Sequence, residues 1–135
     1  MTDIPSTTET VLVVESDVIA RHVLAQYLRH CGYVVLEAAS SDEALVVLSQ
    51  AEAIVHVVLS AVELDGEMNG FALASWVRAN RPETHVVLAG TVKKAAEEAG
   101  EICEDGPHLQ RPYDPQQVLD WIQKLRNIPR RTADG

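Results

Sequence analysis

An α/β fold built on a parallel sheet is what this sequence predicts, and three observations carry that expectation. Apolar runs such as VLVVE and YVVLEA alternate with amphipathic segments, the order expected of repeated strand-helix units. The first run is continuously apolar instead of alternating with polar residues, as in a strand covered on both faces. Residues suited to capping, Ser40, Asn69, Thr91 and Asp114, stand where the amphipathic segments begin.

Taken in order, Val11 to Glu15 reads as the first strand. From Asp17 to Cys31, Ala20, Val23, Leu24, Tyr27, Leu28 and Cys31 recur at helical spacing, and Gly32 follows as a left-handed stop. Tyr33 to Ala38 is the second strand. Ser40 with Glu43 forms a capping box for a helix reaching about Gln50 and burying Ala44, Leu45 and Leu48. Ile54 to Ala61 is the third strand. After an acidic loop, Asn69 caps a helix carrying Phe71, Leu73, Trp76 and Val77, which stops before Arg81 and Pro82. His85 to Ala89 is the fourth strand, and Thr91 caps a short helix in VKKAAEEAG whose one large apolar residue is Val92. Pro107 to Gln110 makes a fifth strand. Asp114, Pro115 and Gln117 then supply cap, first-turn proline and capping-box partner for a last helix with Val118, Trp121, Ile122 and Leu125 as its buried stripe. Trp76 and Trp121 are both assigned to the core, and the ending NIPRRTADG to a frayed tail.

Length and composition limit the function classes. A chain of 135 residues fits one domain that buries roughly two thirds of its unfolded surface, and 47% apolar with 23% charged residues is ordinary for a globular protein. Residues 1–9 and 128–135 read as flexible ends around a domain at 10–127, with no room for an output domain. A net charge of −9 argues against a surface that tracks nucleic-acid phosphates. Cys31 and Cys103 lack CxxC spacing and read as buried reduced thiols, not as a metal site or a disulfide. No basic, apolar leader and no membrane-spanning run is present, so a cytoplasmic protein is expected. Phosphate-loop, dinucleotide, nucleophile-elbow and HExxH motifs are absent, which makes a small enzyme or cofactor binder remote and predicts no cofactor. His22, His30, His56, His85 and His108 share no ligand-like spacing.

In an open parallel sheet, functional groups gather beyond the carboxyl ends of the strands. Those ends present Glu15, Ser16 and Asp17, then Ala61 and Glu63, then Leu88 and Ala89, then Arg111. VLVVESD, CGYVVLEAASSDEAL, LDGEMNGFALA and RPYDPQQV occur in an order that resembles the receiver domain of bacterial two-component response regulators, over Thr10 to about Asn127. The resemblance implies a flavodoxin-like (βα)5 fold, doubly wound, with five parallel strands in the order 2-1-3-4-5. It also implies a phosphoryl-accepting aspartate after the third strand, an acidic pair holding Mg²⁺, a Thr or Ser sensor and a Lys.

Carried over residue by residue, these roles fall on residues that lack the chemistry. Counting back nine positions from Gly70 places the acceptor at Ala61. The acidic pair becomes Glu15 and Ser16 with Asp17 adjacent, the sensor becomes Leu88 or Ala89, and the Lys becomes Arg111. Mg²⁺ needs carboxylates together with phosphate oxygens, so Glu15 and Asp17 are weak candidates and no tight site is expected. Arg111 can pair with Glu15 instead, an attraction of roughly 4 kcal/mol at about 4 Å and an effective dielectric near 20, before desolvation. Displaced acceptors would be Asp65, Glu63 or Ser60, although strand alternation turns Ser60 away from Ala61. The resemblance places the switch-aromatic position at His108, which by itself reads first as an edge-strand histidine, and an interaction face on helix four, strand five and helix five, with Leu119 exposed on it.

The expectation is therefore a stand-alone, non-enzymatic receiver-like protein that works by protein contacts without aspartyl phosphorylation. A phosphorylatable receiver using a displaced acceptor and Mg²⁺ is the alternative. The resemblance implies a histidine kinase, a phosphotransfer protein or another regulator as partner, or a homodimer through that same face.

Overall fold

The computed structural model describes residues 9–105 and 114–127. Four strands, β1 (Thr10–Val14), β2 (Val34–Ala38), β3 (Val57–Ala61) and β4 (His85–Ala89), pair in parallel in the order β2-β1-β3-β4. The expected fifth strand at Pro107 to Gln110, with His108 and Arg111, lies outside the described residues, as do the two chain ends. Among the described residues, five helices accompany the strands: α1 (Val18–His30), α2 (Ser41–Leu48), α3 (Gly70–Asn80), α4 (Val92–Asp105) and α5 (Pro115–Arg126). The α/β class and the central strand order follow the sequence expectation.

Alternation along each strand divides the core into two layers. Val11, Val13, Leu59 and Ala89 pack with α1, α4 and α5. Leu12, Val14 and Val58 turn the other way and pack with α2 and α3. The helix after β4 thus lies on the α1 face, where Ala95, Ala96, Ala99, Ile102 and Cys103 bury against it. Because α1 begins at the carboxyl end of β1 and Arg126 at the end of α5 pairs with Asp17, α5 runs antiparallel to α1.

Local chemistry explains most boundaries. Asp17, Ser40, Asn69 and Thr91 all accept from backbone N–H groups of the first turns that follow them. At Ser40 the capping box closes with Glu43 accepting from the Ala39 N–H at 2.7 Å. The α2 helix stops at Leu48, two residues early, where the Arg81 guanidinium donates to the carbonyls of Leu48, Gln50 and Ala53. In β3 the strand starts at Val57, not Ile54, and Ile54 is exposed. Asp114 makes no side-chain cap, so Pro115 alone marks the start of α5.

Four expectations are corrected by packing. The α4 helix is longer than its sequence suggested, because alanines suffice to bury a helix seated close to its neighbours. On α5 the buried stripe is Val118, Leu119 and Ile122; Leu119 is buried, whereas Trp121 and Leu125 are 47% and 44% exposed. The groove between α1 and α4 covers only a narrow stripe, and it selects the one containing Leu119. Trp76 is half-buried against the α2/α3 layer, and Phe71 is exposed. Finally, Cys31 and Cys103 form a disulfide instead of remaining thiols. They are 72 residues apart and meet because α4 lies on the α1 face. Closing a loop of that length stabilises the fold by about 4 kcal/mol in the chain-entropy account.

Candidate functional site at the carboxyl ends of the strands

Glu15 is the first residue past β1, and its N–H donates to the Ala38 carbonyl at 3.0 Å, which ties it to the end of β2. Its carboxylate accepts from the Asp17 N–H at 2.9 Å. Burial pushes the Glu15 carboxyl above its ordinary range; the Asp17 N–H pulls it down, the Asp17 charge raises it, and the net shift is upward.

Ser16 fastens two loops together. Its hydroxyl donates to the Ala39 carbonyl at 2.7 Å and accepts from the Asp65 N–H at 2.9 Å. Nearby, the Ser41 N–H donates to the Asp65 carbonyl and the Ser41 hydroxyl accepts from the Met68 N–H. Gly66 adopts a positive φ of 106° in this loop, and a Cβ there would lie 2.5 Å from the Ser41 hydroxyl oxygen. Serine hydroxyls and backbone groups thereby hold the acidic loop.

Asp17 is consumed by structure. One carboxylate oxygen accepts from the Ile19 and Ala20 N–H groups as the α1 cap, and the other pairs with the Arg126 guanidinium. Partial burial pushes its carboxyl up, but the bonds from Ala20 and Arg126 outweigh that, and the net shift is downward. Arg21 adds a second guanidinium, donating to the Glu15 carbonyl at 3.0 Å and pairing with Glu37 at 3.1 Å.

Across the crevice the ends of β3 and β4 present alanines. Ala61 pairs in register with Ala89, and both border a cavity of about 170 Å³ together with Glu15, Glu63 and Gly90. Thr91 and Val92 complete the lining; the Thr91 hydroxyl accepts from the Lys94 N–H at 3.0 Å as the α4 cap. A Cβ on Gly90 would meet nothing within 4 Å. Leu88 pairs with Ser60 and shares its side of the sheet, so of the two sensor candidates it is Ala89 that reaches the crevice. The buried Ser60 hydroxyl donates to the Ala61 carbonyl at 2.8 Å. Asp65 is exposed in the loop.

Position 70 explains why a glycine anchors this region. Its N–H donates to the Val62 carbonyl at 2.7 Å, and a Cβ there would fall 2.2 Å from the Ala61 carbonyl oxygen. The start of α3 therefore crosses the end of β3 at backbone contact.

The donor set does not fit Mg²⁺. Glu15 and Glu63 are the carboxylates lining the crevice, Asp17 is engaged by a cap and a guanidinium, and Ala61 supplies no oxygen from its side chain. Among the described residues no group of three His, Cys, Asp or Glu side chains is placed to hold a metal ion. The sequence reading located Glu15, Ser16, Asp17, Ala61, Glu63 and Ala89, and it missed Arg21 and Arg126. Arg21 occupies an ordinary helical position, and Arg126 arrives only through the direction of α5, so neither left a signal in the sequence.

Comparison with known proteins agrees with this geometry. Residues 11–123 match the response regulator receiver domain family. Among solved structures, the chain is similar to a CheY-like receiver domain protein of Methanospirillum hungatei, at 19% identity and a TM-score of 0.58, covering 88% of this chain and 94% of that one. It is likewise similar to the chemotaxis response regulator CheY4 of Vibrio cholerae, at 25% identity and a TM-score of 0.57, covering 88% of this chain and 99% of that one. A signal receiver domain of an HD domain-containing protein from Pseudomonas fluorescens matches at 23% identity and a TM-score of 0.58, covering 87% of this chain and 94% of that one. No curated protein matches. Four parallel strands in the order β2-β1-β3-β4, a strand-end crevice and a family match over most of the chain lead to one conclusion: this chain belongs to the response regulator receiver domain family.

Proposed function

We propose that this receiver domain works in two-component signalling as a protein interaction module, inside the cell and without aspartyl phosphorylation. The observation that carries the reading is Ala61 in register with Ala89 on the crevice wall, where neither side chain offers a nucleophile or a hydrogen-bond donor. Three nearby polar residues are engaged elsewhere: Ser16 ties loops, Asp17 caps α1, and Ser60 bonds the Ala61 carbonyl from the opposite face. The absence of any described helix long and apolar enough to cross a membrane is compatible with this setting. A histidine kinase, a phosphotransfer protein or another regulator is the class of partner that follows from the family. Incubation with a phosphoramidate and Mg²⁺ followed by intact-mass measurement tests the proposal. An unchanged mass is expected. One added phosphoryl group would overturn it and direct attention to Glu63, Asp65 or Ser60 as a displaced acceptor.

A further inference from the structure

We propose that a groove at the amino ends of the strands seats a lysine or arginine side chain from a basic segment of a partner protein. The groove is a cavity of about 210 Å³ between the later turns of α4 and the sheet. Val57 and His85 open β3 and β4 beside it, and Glu9 and Tyr33 stand just before β1 and β2. It lies at the end of the sheet opposite the crevice. The inference gives the interaction reading a partner chemistry, and it holds whether or not the crevice accepts phosphate.

Shape supplies the first argument. Tyr33, Val57, Val87 and Ile102 form an apolar floor. That floor is fixed by bonds within the chain: the Tyr33 hydroxyl donates to the Ile102 carbonyl at 2.5 Å, the Cys31–Cys103 disulfide ties the residues next to them, and the Glu9 carbonyl accepts from the Val34 N–H at 3.0 Å. A site held in this way spares its guest the cost of ordering it. Pockets for drug-sized molecules begin near about 300 Å³, so this smaller one suits a single long side chain.

Charge supplies the second. Glu9, Glu98 and Glu101 also line the groove, with His85 beside them. Glu98 pairs with Lys94 at 3.3 Å, whereas among the described residues no cation pairs with Glu9 or Glu101. The α4 helix deepens the negative field. Lys93 and Lys94 occupy its first turn, Glu97, Glu98, Glu101 and Glu104 follow, and no basic residue stands in its last turn. That order opposes the helix dipole, whose carboxyl end favours cations, so an arriving positive charge is attracted by glutamates and helix together.

An apolar floor beneath carboxylates matches the aliphatic stem and charged head of lysine or arginine. A bare metal ion fits less well, because among the described residues no three His, Cys, Asp or Glu side chains are placed to hold one. Nucleic acid and anionic lipid are repelled by the same glutamates. The chain's own Arg130 and Arg131 follow α5, which finishes at the opposite end of the sheet, where Arg126 pairs with Asp17.

The test titrates the full chain with a blocked glycine pentapeptide carrying one central arginine, lysine or citrulline, the last being arginine without its charge. Methyl shifts are followed by NMR. The two cationic peptides should move Val57, Val87 and Ile102 and saturate, and the citrulline peptide should not. Glu9→Gln with Glu101→Gln should weaken binding about tenfold. Glu52→Gln with Glu67→Gln removes the same charge from exposed sites elsewhere and should leave binding within about twofold. Val87→Met fills the groove with the glutamates in place and should weaken binding too.

Shifts scattered over the surface, or equal weakening by both glutamate pairs, would reduce the effect to attraction toward a chain of net charge −9 and overturn the proposal. Movement of the same methyls in an Arg130→Ala, Arg131→Ala variant without peptide would assign the groove to the chain's own tail. A concentration-dependent mass that is lost with Glu101→Gln would assign it to a second copy. Either result overturns the proposal as well. None of these outcomes alters the phosphoramidate result, so the two proposals fail separately.

Discussion

The carboxyl ends of β1 and β3 lie side by side in the sheet, yet their chemistry is opposite. Beyond β1, Glu15, Ser16 and Asp17 all make specific bonds, to backbone amides, to two loops and to Arg126. Beyond β3, Ala61 lies beside its register partner Ala89 at the edge of the crevice, Gly90 opens onto free space, and the crowding there is in the backbone under Gly70. The difference teaches that polar residues at a strand-end crevice need not be a reactive site. On the β1 side they are structural, and on the β3 side an alanine ends the strand while Glu63 supplies a carboxylate to the crevice lining.

That contrast can be broken by substitution, and the largest effect is expected at Gly70. Gly70→Ala should lower stability by about 3 kcal/mol or more, because its Cβ would overlap the Ala61 carbonyl and backbone cannot give way cheaply. Chemical denaturation would measure it, and a loss below about 0.5 kcal/mol would mean that α3 does not cross β3 this closely. Ser16→Ala comes next, at about 1–2 kcal/mol, since it strips partners from the Ala39 carbonyl and the Asp65 N–H. Hydrogen exchange should quicken at Asp65 in that variant.

Ala61→Asp should cost less, within about 1 kcal/mol, because the position is half-buried and opens onto the crevice. Combining it with Ser16→Asp, the obvious way to rebuild an acidic site, should carry the larger Ser16 penalty as well. If Ala61→Asp proves as damaging as Ser16→Ala by thermal melting, the two strand ends are less different than their bonding suggests.

The smallest effects concern pH, and they have opposite signs. The Glu15 carboxyl is held above its ordinary range by burial, so its contribution is complete at low pH and is lost as pH rises through the folded value. Glu15→Gln should therefore gain stability relative to the parent as pH rises. For Asp17 burial is outweighed by the Ala20 and Arg126 bonds, so its contribution is present at neutral pH and is lost as pH falls through the folded value. Asp17→Asn should lose stability at neutral pH and converge on the parent in acid. Denaturation midpoints followed from about pH 3 to about pH 7 would resolve both, and parallel curves for the two variants would contradict the assignment.

Much of this was legible in the sequence because it is local. Strand runs, helical spacing and the caps at Ser40, Asn69 and Thr91 depend on residues a few positions apart, and the structure places them close to where the pattern does, whereas the expected Asp114 side-chain cap is not made. Ala61 was reached by counting back from Gly70 on the strength of the family resemblance; the structure adds that a Cβ at Gly70 would overlap the Ala61 carbonyl. The choice between Leu88 and Ala89 was not legible, since it turns on a one-residue register that the β3–β4 pairing sets. Nor were the Arg126 contact, the burial of Leu119 in place of Trp121, or the Cys31–Cys103 bond. All three follow from where α4 and α5 settle on the α1 face. A helix pattern specifies which residues share a side of that helix, but the neighbour that side meets is decided by packing over sequence separations that no local period encodes. The sequence by itself determined the α/β class, the element order and an alanine at the end of β3; tertiary structure decided which polar groups became fasteners, because only there do loops and helices distant in sequence compete for the same hydrogen bonds.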